Sequence, residues 1–128
     1  MTNKFLVDTD EWISFFNKRD PALKLIEELS NKGEIFSSIL TVTELRAGWT
    51  TGAAKKFMPI FYAQTKIVNI SLKAAELAGK FLKDYKSKGI SLPTVDTVIS
   101  ATAILGNFQL VTRNKKDYPM PQLKLYPL

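Results

Sequence analysis

Apolar positions along the chain fall into short runs and helical spacings that follow one another in turn. "FLV" at 5–7 reads as a buried strand. From about Glu11, the residues Trp12, Phe15 and Phe16 recur at i, i+3 and i+4, which predicts a helix with one apolar face. "DPALKLIEELSNKG" (20–33) predicts a second helix, with Asp20 as N-cap, Pro21 at its first position and Gly33 past its end. "EIFSSIL" (34–40) is the next strand, and "TVTELRAG" (41–48) starts a helix that stops at glycine. Residues 53–63 carry a helical pattern, interrupted by Pro59, and "KIVNI" (66–70) a third strand. Over 72–86 the stripe Leu72, Ala75, Ala78, Leu82 and Tyr85 predicts an amphipathic helix, with Lys73, Lys80 and Lys83 mostly off it. A loop at 87–94 leads to a helix over about 95–105, with Thr94 as its cap and Gly106 and Asn107 at its end. "FQLVT" (108–112) is a fourth strand and "LKLY" (123–126) a short fifth. Strands that alternate with helices predict a single α/β domain over 1–128, a mainly parallel sheet of four to five strands with helices on both faces.

Composition narrows the chemistry this fold can carry. The chain of 128 residues, 45% hydrophobic, is long enough for one domain with a real core. It contains no cysteine, which excludes disulfides and thiolate metal sites and fits a reducing compartment. It also contains no histidine, which removes the usual general base near neutral pH, the serine–histidine and cysteine–histidine arrangements, and imidazole-bound zinc or iron. Hydrolysis would have to run on carboxylates, with a hard cation such as Mg²⁺ or Mn²⁺. A net charge of +6 favours polyanionic partners. The longest uncharged run, Thr97 to Thr112, is broken by Gly106, Asn107 and Gln109 and is shorter than a membrane span. No signal peptide is visible, so a soluble cytoplasmic protein is expected.

The acids are informative because of where they fall. In parallel α/β folds, ligands sit beyond the carboxyl ends of the strands. Asp8 directly follows the first apolar run, although Asp8 or Asp10 could equally cap the helix that begins there, and Asp8-x-x-Glu11 resembles a capping box. Glu44 has a structural reading of its own, since Thr41-x-x-Glu44 matches the capping-box pattern. Asp96 lies in the first turn of an otherwise apolar helix, where an acid complements the helix dipole or faces a cleft. Asn114 and Asp117 follow the 108–112 strand in "TRNKKDY", a stretch that also suits an exposed turn. Each acid alone is explained by capping or a turn. Four elements presenting acids at one end of a sheet imply carboxylates that repel one another unless protons or a divalent cation neutralise them.

"FLVDTDEWI", "TVTELRAG" and "DTVISATAILGNFQLVTRNKKDY" occur in an order and spacing that resemble PIN-domain ribonucleases of the VapC toxin type, over essentially the whole chain. The resemblance implies that Asp8, Glu44 and Asp96 form an acidic, metal-binding core with Asp117 as a further acid, and that Thr112 and Asn114 line the pocket. In some PIN domains an acid stands where this chain has Asn114, which leaves open whether Asp117 meets metal directly or through water. Asp10 corresponds to a position of Asn or Asp, read as cap or support. The resemblance further implies Mg²⁺- or Mn²⁺-dependent hydrolysis of RNA (tRNA or another structured RNA), a homodimer, and silencing by a small antitoxin.

The cationic side chains Arg113, Lys115 and Lys116 beside the acids, and Lys55 and Lys56 further off, are expected to contact phosphates. Trp12 and Trp49 could stack on bases, but core or interface burial is expected of both, with Trp49 near an antitoxin groove if the resemblance holds. Two other readings compete. A strand ending in D-x-D also resembles haloacid-dehalogenase-type phosphatases, with Asp8 as nucleophile and Asp10 as acid/base, but Glu11 and Trp12 depart from that pattern and no later G-D-x-x-x-D occurs. The other is a PIN-like module that binds RNA or protein without cutting it.

Overall fold

A computed structural model describes residues 2–128. The chain runs β1 (Asn3–Val7), α1 (Thr9–Phe16), α2 (Asp20–Lys32), β2 (Gly33–Ser38), α3 (Ile39–Gly48), α4 (Thr51–Gln64), β3 (Lys66–Val68), α5 (Leu72–Ser87), α6 (Thr94–Gly106), β4 (Gln109–Val111), a 3₁₀ turn (Lys115–Asp117) and β5 (Lys124–Leu125). The five strands form one sheet in the order β3-β2-β1-β4-β5. Every neighbouring pair is parallel, with Phe5 opposite Ile35 on one side and Gln109 on the other. The fold is the expected α/β arrangement, with a sheet that is wholly parallel.

Alternation along the central strands explains why both faces are covered. Phe5, Val7, Ile35 and Val111 pack with Trp12, Leu25, Leu29, Leu45 and Phe61, so α1 to α4 seal one face. Leu6 and Leu110 point the other way and pack with Phe81, Ile99 and Ala103 of α5 and α6. Ala101 of α6 meets Ala74 and Ala78 of α5, small residues that let the two helices approach closely. Gly33 is required where α2 gives way to β2, because a Cβ there would run into the backbone carbonyl of Asn3 on β1.

Several local expectations shift. Arg19, not Asp20, occupies the N-cap of α2, and Asp20 is already helical. The apolar stripe of α5 is rotated: Ala74, Ala78 and Phe81 are buried, whereas Leu72 is 78% exposed and Ala75 faces solvent. Both stripes have helical spacing, and the sheet surface, not the period, selects between them. Thr94 belongs to α6, whose N-cap position is Pro93. Helix α4 continues through Pro59, anchored by the Thr50 side chain accepting from the Ala53 amide and by buried Ala54 and Phe61. Strands β3 and β4 are shorter than expected, and β5 is two residues long. No helix among the described residues is long and apolar enough to cross a membrane.

Candidate active site

The strand order places the site. From β1 the chain builds outward through β2 to β3 and then returns to build β4 and β5 on the opposite side of β1. The crevice above the carboxyl ends of β1 and β4 is therefore the topological switch point, where parallel sheets bind ligands. Val7 pairs with Val111, and the Asp8 amide still donates to the Val111 carbonyl at 3.0 Å. Asp8 and Thr112, the next residue on each strand, are thus neighbours although they lie 104 residues apart in sequence.

Asp8 is only 4% exposed. Its Oδ1 accepts from the Thr9 amide at 2.9 Å, which makes it the N-cap of α1, and its Oδ2 accepts from the Thr112 hydroxyl at 2.8 Å. Capping and site chemistry are therefore one residue's work. Asp10, expected as the cap or support of α1, instead lies exposed in the first turn and presses on Asp8 electrostatically. Burial, with the Asp10 charge adding to it, pushes the Asp8 carboxyl up to about 6 against the two hydrogen bonds.

Glu44 is not part of a capping box. Helix α3 begins at Ile39, two residues before Thr41, and Ser38 caps it through the Leu40 amide at 3.1 Å. This earlier start leaves Thr41 and Glu44 on a helical face turned towards α1. The Thr9 hydroxyl donates to Glu44 Oε1 at 2.6 Å and lies 2.9 Å from the Thr41 hydroxyl. Thr9 and Thr41 are both buried, and sequence reasoning does not find them as site residues. The only signal for them is the same register that makes Thr41-x-x-Glu44 look like a cap.

Asp96 is half-buried in the first turn of α6. Desolvation, then the charges of Asp8 and Asp117 and, less strongly, Glu44, raise its carboxyl to about 6. Asp96 thus lies within electrostatic reach of the other three acids expected at the site. The fourth is held by the loop after β4: the Thr112 hydroxyl accepts from the Asn114 amide at 3.0 Å, and Asn114 Nδ2 donates to Asp117 Oδ2 at 2.6 Å. Asn114 therefore orients Asp117 rather than standing apart from it. Tyr118 closes the 3₁₀ turn, and its hydroxyl reaches the neighbourhood of Asp8 and Asp96; burial, and then the charges of those two acids, raise it far above its ordinary value.

Not every expected contact is placed among the acids. Arg113 turns to α1, where its Nη1 pairs with Glu11, a carboxylate that is 2% exposed. A guanidinium engaged in this way braces α1 against the loop after β4, and half of its side chain stays exposed. Burial raises the Glu11 carboxyl even against the Arg113 charge. Lys115 and Lys116 are exposed in the 3₁₀ turn beside Asp117. Lys56 lies on α4, with its ammonium 5.4 Å from the Phe57 ring, beside an apolar groove instead of the acids, and Lys55 is exposed on the same helix. Trp12 is fully buried and donates to Ser37 at 2.9 Å, as a core residue would. Trp49 is half-buried against Phe16 and Phe57.

All the donors are hard oxygens, the kind that Mg²⁺ and Mn²⁺ take. Among the described residues, no three acids come together closely enough to cage an ion on their own.

Residues 5–119 match the family model of the PIN domain. Over 116 residues the chain is 33% identical to Ribonuclease VapC1 of Methanocaldococcus jannaschii, covering 91% of this chain and 79% of that protein. Among solved structures it is similar to a chain of VapBC2 from Rickettsia felis bound to a DNA fragment from their promoter, with a TM-score of 0.85, 25% identity, and 96% and 97% of the two chains covered. It is also similar to a chain of a toxin–antitoxin complex from Klebsiella pneumoniae, with a TM-score of 0.76, 28% identity, and 96% and 98% coverage.

Proposed function

The chain belongs to the PIN-domain family, and from that premise we propose that it is a VapC-type ribonuclease toxin that hydrolyses RNA with the help of Mg²⁺ or Mn²⁺. The observation that supports this reading is that Asp96, at the carboxyl end of the sheet, carries a carboxyl raised by burial and by the charges of Asp8, Asp117 and Glu44. A bound divalent cation would offset that strain, polarise a phosphodiester and lower the pKa of a coordinated water. Asp8 and Asp96 are the residues to hold it, since both are destabilised as anions without it. The Thr9 hydroxyl fixes Glu44, and Asn114 fixes Asp117, so that both carboxylates stand oriented at the rim. Lys115 and Lys116 flank the cleft and supply charge for the RNA backbone without reading its bases. A homodimer is part of the same proposal, as is a tRNA or another structured RNA as substrate.

The partner reading rests on a separate surface. Phe15, Phe16, Leu23, Phe57 and Ile60 line a groove of about 500 Å³ between α1, α2 and α4, with Lys18 and Lys56 at its edge. The solved relatives include a toxin–antitoxin complex. An antitoxin segment with apolar anchors and acidic flanks fits this groove. The phosphatase reading is set aside, because the chain matches the PIN domain and Asp10 lies exposed on α1. A module that binds RNA without cutting it is the second reading, because among the described residues no group of three or more acids is gathered to hold an ion.

The test is cleavage of a structured RNA in Mg²⁺ or Mn²⁺, with EDTA and Asp96→Asn as controls. Cleavage lost in both controls supports the enzyme, and cleavage that survives both refutes the metal–carboxylate site. If the RNA is bound but never cut, the second reading holds.

A further inference from the structure

Tyr118 is 2% exposed, and its ring packs with Leu6, Ile99, Leu110 and Met120 beneath the acid cleft. A phenylalanine would fill that space equally well, so the hydroxyl is what needs explaining. It is buried and has no hydrogen-bond partner among the described residues. Leaving such a donor unpaired costs stability, which a folded chain ordinarily avoids. The hydroxyl's polar neighbours are the carboxylates of Asp8 and Asp96. Both Asp8 oxygens already accept bonds, from the Thr9 amide and the Thr112 hydroxyl. Asp96 has no such partner among the described residues, and its helix holds it by the backbone alone, with its carbonyl accepting from the Ser100 hydroxyl at 3.0 Å. A donor and a carboxylate, neither with a hydrogen-bond partner among the described residues, are thus neighbours within the site.

We propose that Tyr118 is a positioning residue whose hydroxyl donates to the Asp96 carboxylate when a divalent cation draws the acids together, fixing the orientation in which Asp96 holds that cation. The inference rests on the metal-site reading above and adds to it a named donor. Tyr118 comes from the loop after β4 and Asp96 from α6, so the bond would tie together the two elements that bring the site's last acids.

Tyr118→Phe removes the hydroxyl and nothing else, and Tyr118→Met serves as a second variant without it. Mn²⁺ binding is measured by calorimetry without RNA at neutral pH, alongside melting in EDTA and the kcat and KM of RNA cleavage. In Tyr118→Phe, Mn²⁺ affinity is expected to fall roughly tenfold, the worth of one charge-assisted hydrogen bond. Melting in EDTA should be unchanged or higher, because an unpaired buried donor has gone. RNA cleavage should lose kcat with KM unchanged. Wild-type Mn²⁺ affinity in both variants overturns the proposal, and so does a drop in melting temperature with affinity intact, which marks the hydroxyl as merely structural. A wild-type protein that binds Mn²⁺ but leaves RNA whole refutes the ribonuclease reading while the calorimetry still decides Tyr118. Failure of the wild type to bind Mn²⁺ overturns both.

Discussion

Replacing Asp8 with asparagine should make the cation-free protein more stable near pH 7, although Asp8 caps α1 and accepts two hydrogen bonds. The carboxyl is raised from 3.8 to about 6 by burial. The native state therefore binds this proton more tightly than the unfolded state does. The stability linked to it is fully present below the unfolded value and is lost as pH rises through the folded one. At about 1.4 kcal/mol per pKa unit, the ionised group costs the fold about 3 kcal/mol near neutrality. The asparagine side chain would keep an acceptor for the Thr9 amide but could no longer accept from the Thr112 hydroxyl, a loss of about 1 kcal/mol. The net gain is about 2 kcal/mol, or roughly 8 °C in melting temperature for a chain of this size. Circular-dichroism melts in EDTA should show this gain near pH 7 and its disappearance near pH 4, where wild-type Asp8 is already protonated. Saturating Mn²⁺ should reverse the ranking, since only the wild type gains the binding free energy, about 2.7 kcal/mol at a hundredfold excess over Kd. An Asp8→Asn protein less stable than wild type in EDTA near pH 7 would refute the reasoning, because Asp8 would then be a structural cap and not a strained site residue.

Other outcomes follow from the same geometry. Arg113→Met leaves buried Glu11 without its partner and should cost about 2–3 kcal/mol in urea denaturation, discounted for the half-exposed guanidinium; adding Glu11→Gln should recover most of it. Lys115→Gln and Lys116→Gln should each lower the salt slope of RNA binding by about one without changing sequence preference, as measured by filter binding across salt concentrations. Trp12→Ala should cost about 3–5 kcal/mol in the same urea experiment, because the side chain is fully buried among Phe15, Phe16 and Phe61 and donates to Ser37.

Much of the fold is legible because its strands and helices have distinct periods, and the acids stand out because each follows a strand or opens a helix. What stays ambiguous in sequence are choices between equally good local patterns. Thr41-x-x-Glu44 reads as a capping box until Ser38 is seen to cap the helix from three residues earlier, which turns Glu44 towards Thr9. Leu72 and Ala74 both begin helical stripes on α5, and only packing against α6 and the sheet decides for Ala74. Asp20 resembles a cap because it precedes a proline, yet the α1–α2 turn, with Lys18 in a left-handed conformation, starts the helix at Asp20 itself. The pairing of Glu11 with Arg113 is out of reach for a different reason. It spans 102 residues and exists only because β1 and β4 are neighbours, a strand order that no local pattern encodes. The buried hydroxyl of Tyr118 is hidden for the same reason, since its neighbours are Asp8 at the end of β1 and Asp96 on α6.

The central claim is that acids from four separate elements work as one cation-dependent site, and Glu44 tests it most directly, being the acid with the best alternative explanation in sequence. Single-turnover cleavage of a structured RNA should be measured across a Mn²⁺ titration for the wild type and Glu44→Gln, with melting temperatures for both. Wild-type cleavage is expected to rise with Mn²⁺ to a plateau, and Glu44→Gln to melt near the wild type but cleave about a hundredfold more slowly, a loss of about 3 kcal/mol in transition-state stabilisation. Cleavage by Glu44→Gln at the wild-type rate, or cleavage that ignores Mn²⁺ altogether, would contradict it.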